Sequence, residues 1–289
     1  MRTSTLGRTG AAVSSLGLGT WQLGADWGDV SDSDARAVLD AALESGVTMF
    51  DTADVYGDGR SEQLIGRYLA DRPEADVFVA TKMGRRVPQE PENYSTQNFR
   101  AWNDRSRANL GIDTLDLVQL HCPPTAVYSI DRVFDDLDQL VEEGRIRHYG
   151  VSVERVDEAL AAMERPNLAT VQIIINAFRL KPLETVLPVA LDRGIGIIAR
   201  VPLASGLLSG TYTRETTFAE NDHRHYNRDG AAFDVGETFS GVDYESGVAA
   251  AVEFSALAEQ HGLAPATAAL AWLAQLPGVS TVIPGARSP

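Results

Sequence analysis

Eight short apolar runs, separated mostly by segments of helical period, are the feature of this sequence that most restricts its fold. The runs are rich in β-branched residues and show little polar alternation, which is typical of parallel strands covered by helices. We predict strands at 16–21, 47–52, 77–82, 115–121, 146–152, 170–176, 195–201 and 280–285. Strands and helices that alternate along a single domain, residues 1–289, predict an α/β fold of the (β/α)8 TIM barrel type.

Helical periodicity fills the intervals between most of these runs. The predicted helices cover 31–46, 60–70, 95–110, 129–143, 153–163, 183–193, 246–261 and 265–275. Residues 3–14 precede the first strand, and we expect them to form a short hairpin that caps the barrel floor.

Two regions depart from the alternation. The segment from about 211 to 244 has no periodicity. Long loops of this kind are usually functional lids or disordered, so we predict a long mobile loop. The sequence ends on Ser288 and Pro289, a pattern that opens a helix. We therefore expect a C-terminal helix after residue 289 that this sequence lacks.

Charge and composition exclude several classes of partner. A net charge of −15 argues against nucleic acid and anionic membranes. No apolar run approaches the roughly 18 residues of a membrane span, and the N-terminus lacks the apolar core of a signal peptide. The single cysteine, Cys122, rules out an intramolecular disulfide and fits a reducing compartment. We expect a cytoplasmic protein.

Four polar side chains at or just beyond predicted strand ends are expected to meet at the barrel mouth, where barrel active sites lie. They are Asp51, Tyr56, Lys82 and His121. Only two of the 25 basic residues are lysines, so a lysine at the end of a buried strand needs a specific reason. A compact cation about 4 Å from a phenol can lower the phenol pKa by up to about three units.

The four residues therefore predict a tyrosine tuned to donate a proton, with Asp51 keeping Lys82 charged and His121 orienting a substrate oxygen. Taken singly, each has a simpler interpretation: a loop cap, a packing aromatic, a solvated strand-end charge or a buried imidazole. Their occurrence together at successive strand ends favours a shared site.

Seven segments carry a resemblance to a known family: FDTADVYGDGRSEQLIG (50–66), ATKMG (80–84), LDLVQLHCPP (115–124), IRHYGVS (146–152), VQIIINAF (171–178), VPLASGLLSG (201–210) and IPGAR (283–287). On these segments the chain resembles the aldo-keto reductases, most nearly the bacterial members and the related potassium-channel β subunits. The resemblance implies NADPH-dependent reduction of a small-molecule aldehyde or ketone. Tyr56 would be the general acid, and no metal would be required.

The resemblance also implies a set of binding positions. Trp21, Tyr56 and His121 would contact the substrate. The cofactor positions are Gly19, Thr20, Trp21 and Asp51 near the nicotinamide, Ser152 and Gln172 at its carboxamide, Arg200 beside the ring, Pro202, Leu203, Gly206, Leu207 and Leu208 along the diphosphate, and Gly285, Ala286 and Arg287 at the adenosine 2′-phosphate.

Three departures from the family pattern bear on cofactor binding. Val153 replaces an asparagine that usually contacts the carboxamide, and Thr211 replaces a lysine near the diphosphate. Arg200 stands where many members stack an aromatic ring on the nicotinamide, a variant that we expect to be tolerated. Ser152 also fits the N-cap of the helix predicted at 153–163.

Two other function classes stay open. One is a cofactor-binding, redox-sensing regulatory subunit with slow turnover, as the resemblance to channel β subunits implies. The other is a metal-dependent barrel hydrolase, but the sequence lacks the His-x-His strand end that it would need. The basic cluster at 223–228 is interpreted as solvated surface. Neither the physiological substrate nor the oligomeric state can be derived from the sequence.

Overall fold

The computed structural model describes residues 1–24 and 30–289, and within these residues eight parallel strands form one sheet in sequence order. They are β3 (Leu18–Gly19), β4 (Met49–Asp51), β5 (Phe78–Met83), β6 (Leu115–His121), β7 (Ile146–Ser152), β8 (Thr170–Ile174), β9 (Gly196–Arg200) and β10 (Val279–Val282). Backbone bonds of 2.8 Å from Gly17 N to Val282 O and from Gly19 N to Pro284 O join the last strand to the first. The predicted TIM barrel is confirmed.

Helices cover the outside of the sheet. They are α1 (Asp32–Glu44), α2 (Arg60–Ala70), α3 (Thr96–Leu110), α4 (Asp131–Glu142), α5 (Val156–Met163), α6 (Lys181–Arg193), α8 (Tyr244–Gln260) and α9 (Pro265–Leu273). In α1, Ser31 caps the helix by accepting from Asp34 N, and Ala35, Val38 and Leu39 are buried. No helix in the described part of the chain combines the length and apolarity needed to cross a bilayer.

The predicted hairpin caps the N-terminal end of the barrel. Antiparallel strands β1 (Thr3–Thr5) and β2 (Ala12–Ser14) form it. The apolar cluster inside the barrel above the hairpin comprises Leu6, Val13, Met49, Ala80, Leu117, Ile198 and Ile283, and Ile283 also reaches the mouth. Gly7 has φ +49°, and a Cβ there would lie 2.0 Å from the Gly196 nitrogen. Glycine therefore lets the hairpin turn lie directly against β9.

The segment between β9 and α8 contains one short helix, α7 (His223–Tyr226), and 3-10 turns at 204–209, 235–237 and 239–241. It packs on the barrel mouth through an apolar cluster that includes Leu207 and Phe239. The interpretation of 223–228 as solvated surface is wrong for His223, which is buried, and for Arg224, which pairs with Asp222 at 2.5 Å. The mobility of this segment stays a prediction.

Candidate active site

The centre of the candidate site is a buried ion pair between neighbouring strands. Asp51 ends β4, and Lys82 lies near the end of β5. Lys82 Nζ lies 2.5 Å from Asp51 Oδ2 and donates to the Thr52 carbonyl at 2.8 Å, while Gln172 donates to Asp51 Oδ1 at 2.7 Å. The side chains of Lys82 and Asp51 are 1% and 3% exposed. Burial alone would lower the pKa of Lys82, but Asp51 and Tyr56 raise it overall, so the ammonium stays charged.

Tyr56 follows β4 by five residues and reaches back to this ion pair. Its Oη lies 3.4 Å from Lys82 Nζ. Burial raises the pKa of the Tyr56 phenol, and the Lys82 charge lowers it again by less, so the net pKa lies above its usual value. The prediction of a net lowered pKa is therefore wrong for this structure, because burial outweighs the cation. The phenol is protonated at neutral pH, which a proton donor requires.

His121 ends β6 and faces the tyrosine. The ring centroids of Tyr56 and His121 lie 6.0 Å apart, with the ring planes at 83°. Burial lowers the pKa of His121 well below its usual value, and the charges of Arg85, Lys82 and Arg200 lower it further. Its Nδ1 has no hydrogen-bond partner among residues 1–24 and 30–289. The imidazole is therefore neutral and retains an N–H for a substrate oxygen.

A cavity of about 390 Å³ opens at this end of the barrel. Most of the predicted positions line it: Gly19, Thr20, Trp21, Asp51, Tyr56, His121, Ser152, Gln172, Arg200, Pro202, Leu203, Gly206 and Gly285. One wall is aromatic, because Trp21 stacks on Tyr56 at 6.1 Å between ring centroids and meets Phe233 edge-on at 5.9 Å. The four residues Asp51, Tyr56, Lys82 and His121, hereafter the tetrad, thus adjoin a cavity with both apolar and polar walls, as small-molecule sites generally do.

The turn after β9 gives this cavity a backbone wall. Val201, Ala204 and Ser205 have φ values of 51°, 48° and 55°, in the left-handed region that non-glycine residues seldom occupy. The Ser205 hydroxyl donates to Glu237 O at 2.9 Å and accepts from Phe239 N at 3.0 Å, which stabilises the turn. Successive backbone amides near left-handed residues form concavities that suit anions. Val201, Ser205 and Gly206 of this turn line the cavity.

Five predicted positions lie away from the cavity wall. Lys82 lies behind Tyr56, and Leu207 and Leu208 are buried in the apolar cluster under the segment before α8. Ala286 packs against the main core, and Arg287 is exposed.

The predicted capping role of Ser152 is wrong. Helix α5 begins at Val156, and its N-cap residue is Arg155. The helix starts later than its sequence pattern suggests, which leaves Ser152 at the end of β7 and on the cavity wall.

Arg200 connects the barrel to the segment before α8. Its guanidinium forms a buried ion pair with Glu237 and donates to the Val153 carbonyl at 2.9 Å. Burial alone would lower the pKa of Arg200, but Glu237 raises it overall. Many members of the family that the sequence resembles have an aromatic ring at position 200. This chain has Arg200 there, and its counter-ion, Glu237, comes from the segment before α8.

Sequence reasoning missed part of the cavity wall: Gln22, Val55, Arg85, Val201, Ser205, Tyr212, Tyr226, Phe233, Glu237, Ile283 and Pro284. Arg85 lies two residues after β5, so a search just beyond the strand ends would have found it. Gln119 lies two residues before His121, on the same strand face, and approaches Asp51 Oδ1 at 3.4 Å. The segment before α8 contributes Tyr212, Tyr226, Phe233 and Glu237, and these could not be predicted because its sequence lacks periodicity.

A second buried carboxyl, Asp54, lies close to the tetrad. Its backbone N donates to the Lys82 carbonyl at 3.1 Å. Neither side-chain oxygen has a hydrogen-bond partner among the described residues. Burial raises the pKa of Asp54 to about 7, Glu62 adds to the rise, and the charges of Arg86 and Arg105 oppose it. Asp54 is thus a carboxyl that titrates near neutrality without being on the cavity wall.

Comparison with known proteins places these features in one family. The profile of the Aldo/keto reductase family matches residues 15–289. The aldo-keto reductase YhdN of Bacillus subtilis (strain 168) is 30% identical over 303 residues, which span 100% of this chain and 86% of that protein. A probable voltage-gated potassium channel subunit beta of Arabidopsis thaliana is 28% identical over 99% of this chain and 87% of its own length.

The solved structures agree with the sequence comparison. The glycerol dehydrogenase of Gluconobacter oxydans superposes with a TM-score of 0.79 at 32% identity, covering 96% of this chain and 84% of that one. Members of the matched family are oxidoreductases that use NAD(P)H and act on small molecules. With a match over nearly its whole length and the same barrel, the chain belongs to the aldo/keto reductase family.

Proposed function

We propose that the protein reduces an aldehyde or ketone to an alcohol with NADPH and that Tyr56 donates the proton. The observation that carries the proposal is the 3.4 Å contact between Tyr56 Oη and Lys82 Nζ beside the cavity, with Asp51 paired to Lys82 at 2.5 Å. A phenol with an adjacent, permanently charged ammonium can release its proton without leaving an unpaired anion. The family's use of NAD(P)H supports the hydride chemistry.

The residues of the cavity fit such a cofactor. Ser152 and Gln172 lie on the wall at the ends of β7 and β8, where they would hold the carboxamide. The left-handed turn at 201–206 would take the diphosphate. Arg287, exposed and two residues beyond Gly285 of the wall, would approach the 2′-phosphate, and this position carries the preference for NADPH over NADH.

Four residues of the protein have separate roles in the proposed carbonyl reduction: Tyr56, Lys82, Asp51 and His121. When bound, the reduced nicotinamide supplies a hydride, with its electron pair, to the carbonyl carbon. Tyr56 transfers its phenolic proton to the carbonyl oxygen, so the product is a neutral alcohol. Lys82, kept charged by Asp51, stabilises the phenolate until solvent returns a proton to it. Neutral His121 donates a hydrogen bond that orients the carbonyl.

Replacing Tyr56 with phenylalanine tests this assignment. We expect kcat for a panel of aldehydes and ketones to fall by a factor of roughly 10² to 10⁴, since the proton donor is lost. The matched control is Tyr68→Phe, because Tyr68 is a buried tyrosine on α2 whose hydroxyl bonds to Asp40 at 2.8 Å. Steady-state rates with NADPH and with NADH measure both variants. A Tyr56→Phe enzyme with wild-type kcat contradicts the assignment.

A second candidate function is a cofactor-binding regulatory subunit with slow turnover. The similarity to a probable potassium channel subunit beta favours it. Tight NADPH binding without measurable reduction of any carbonyl in the panel would support this second function. Rapid turnover that depends on Tyr56 would support the reductase.

A further inference from the structure

Arg85 is a cation on the cavity wall, and it has no role in the proposed proton transfer. It lies two residues after β5, and its Nε donates to the His121 carbonyl at 3.1 Å, which holds the guanidinium against the backbone of His121. Its side chain keeps 20% of its surface exposed. Lys82, by contrast, is almost completely enclosed. The Arg85 guanidinium is therefore anchored through Nε and still lines the cavity.

The charge of Arg85 is only partly neutralised. Lys82 has Asp51 as its counter-ion, and Arg200 has Glu237. Arg85 contacts Glu154 through a single pair of atoms, Nη2 and Oε1, at 3.2 Å, and it shares the charge of Glu237 with Arg200. A guanidinium offers five N–H donors, so the contacts with His121 and Glu154 leave most of its fork available. Burial also raises the pKa of Glu154, which makes this carboxyl a weaker counter-ion.

We propose that Arg85 binds a carboxylate on the substrate, so that the preferred substrates are oxo acids, aldehydes or ketones with a carboxylate a few carbons from the carbonyl. The inference rests on the proposed reductase function and adds the substrate class to it. The planar, two-oxygen carboxylate matches the guanidinium fork. Because the chain carries a net charge of −15, an anionic substrate needs a local cation of this kind.

The position of Arg85 limits the length of the substrate. Its bond to the His121 carbonyl places the guanidinium next to the residue that would orient the reacting oxygen. The carboxylate and the carbonyl must therefore lie within a short carbon chain of each other. The aromatic wall formed by Trp21 and Phe233 can pack against that chain.

A purely indirect role for Arg85 makes a different prediction. Arg85 lowers the pKa of His121 and contacts its backbone, so it could act only by positioning His121. Loss of that role would slow the reduction of every carbonyl equally. A matched pair of substrates that differ only in charge separates the two roles.

The experiment compares 4-oxobutanoate with its neutral methyl ester in the wild-type protein and in Arg85→Gln, using NADPH. We expect the wild type to prefer the anion. We expect Arg85→Gln to lose roughly 10- to 100-fold in kcat/KM for 4-oxobutanoate, mostly through KM, with less than about a threefold change for the ester. Arg85→Lys should recover part of the loss, because it restores the charge without the fork.

Arg86 provides the matched control. It is the next residue, but its guanidinium pairs with Asp58 at 2.7 Å and donates to the Asp54 carbonyl at 3.1 Å, away from the cavity wall. Arg86→Gln should leave the ratio of the two kcat/KM values unchanged. An equal loss on both substrates in Arg85→Gln, or a wild-type preference for the ester, overturns the proposal.

Wild-type protein alone gives an independent readout if the Arg85 variants do not fold. Butanoate should compete with 4-oxobutanoate, whereas butanamide, a neutral molecule of the same shape, should not. Equal inhibition by both overturns the proposal. If no carbonyl is reduced at all, the reductase function fails, and calorimetric binding of butanoate against butanamide still decides whether Arg85 forms a carboxylate site.

Discussion

Only two residues along each strand separate the floor of the barrel interior from its mouth. The interior of the floor contains Met49 of β4, Ala80 of β5, Leu117 of β6 and Ile198 of β9, packed against the hairpin. Two positions further along, on the same strand face, the interior contains Asp51, Lys82, Gln119 and Arg200. Since strands rise about 3.3 Å per residue, the interior changes from apolar to ionic within about 7 Å.

Each of these strands therefore contributes an apolar residue to the core and, two positions later, a polar residue to the mouth. The floor mainly buries apolar side chains, so it contributes stability and a rigid base. At the mouth, the charged residues that end β4 and β9 are paired, Asp51 with Lys82 and Arg200 with Glu237. Such pairs rarely add net stability, because desolvation offsets their attraction. Changes at the mouth should therefore affect the rate, and changes at the floor should affect stability.

The largest effect is expected from Lys82→Arg. The guanidinium is too large for the space between Asp51 and Tyr56, where Nζ lies 2.5 Å from the carboxylate and 3.4 Å from the phenol. We expect kcat for carbonyl reduction to fall roughly 100-fold or more although the charge is kept. The chain has one other lysine, Lys181, which is exposed, and Lys181→Arg is the control. Wild-type kcat in Lys82→Arg would show that the mouth does not depend on a compact cation.

The next effect concerns Asp54 and depends on pH. Its pKa is about 7 in the folded protein against 3.8 for a free side chain, so the unfolded chain ionises first as the pH rises. Stability should fall between pH 4 and pH 7 and then level off, with a cost of roughly 4 kcal/mol at pH 8. Asp54→Asn should remove this slope, as urea unfolding at pH 4, 6 and 8 would measure. Asp113→Asn, at an exposed aspartate, should keep the wild-type slope. A wild-type slope in Asp54→Asn would show that this carboxyl is ionised in the folded protein.

The effect expected at the floor is smaller than that of Asp54 and concerns stability rather than rate. Leu117 is fully buried beneath the hairpin. Leu117→Ala should lower the free energy of unfolding by about 3 kcal/mol, through lost burial and the cavity left behind. Because the change lies below the ionic layer, kcat per folded molecule should stay near the wild-type value. A large loss of kcat without loss of stability would remove the distinction between floor and mouth.

Most of the fold and the centre of the candidate site could be predicted from the sequence. Strand and helix periods and the floor hairpin are local signals, and they appear in the structure. The tetrad was recognisable because barrel strands deliver their last residues to one mouth, so Asp51, Lys82 and His121 only had to be at strand ends. Because β4, β5 and β6 are neighbours in the sheet, residues at their ends lie close together although they are far apart in the sequence.

The remaining features depend on distances that no local pattern encodes. Glu237 pairs with Arg200 across a segment without periodicity, so its role emerges only when that segment is folded. The net pKa of Tyr56 depends on how deeply the phenol is buried relative to its separation from Lys82. The late start of α5 at Val156, with Arg155 as its N-cap, moved Ser152 from a helix cap to the cavity wall.

The closure of the barrel has a consequence for biosynthesis. Contacts of β10 with the hairpin and with the chain beside β3 join opposite ends of the sequence, for example Ser14 of β2 and Thr281, 267 positions apart. During translation the ribosome must release almost the whole sheet before its two margins can meet. Until then the nascent chain presents two unpaired strand edges, which are templates for intermolecular pairing. Pairing of β10 with the chain beside β3 therefore removes both of these edges at once.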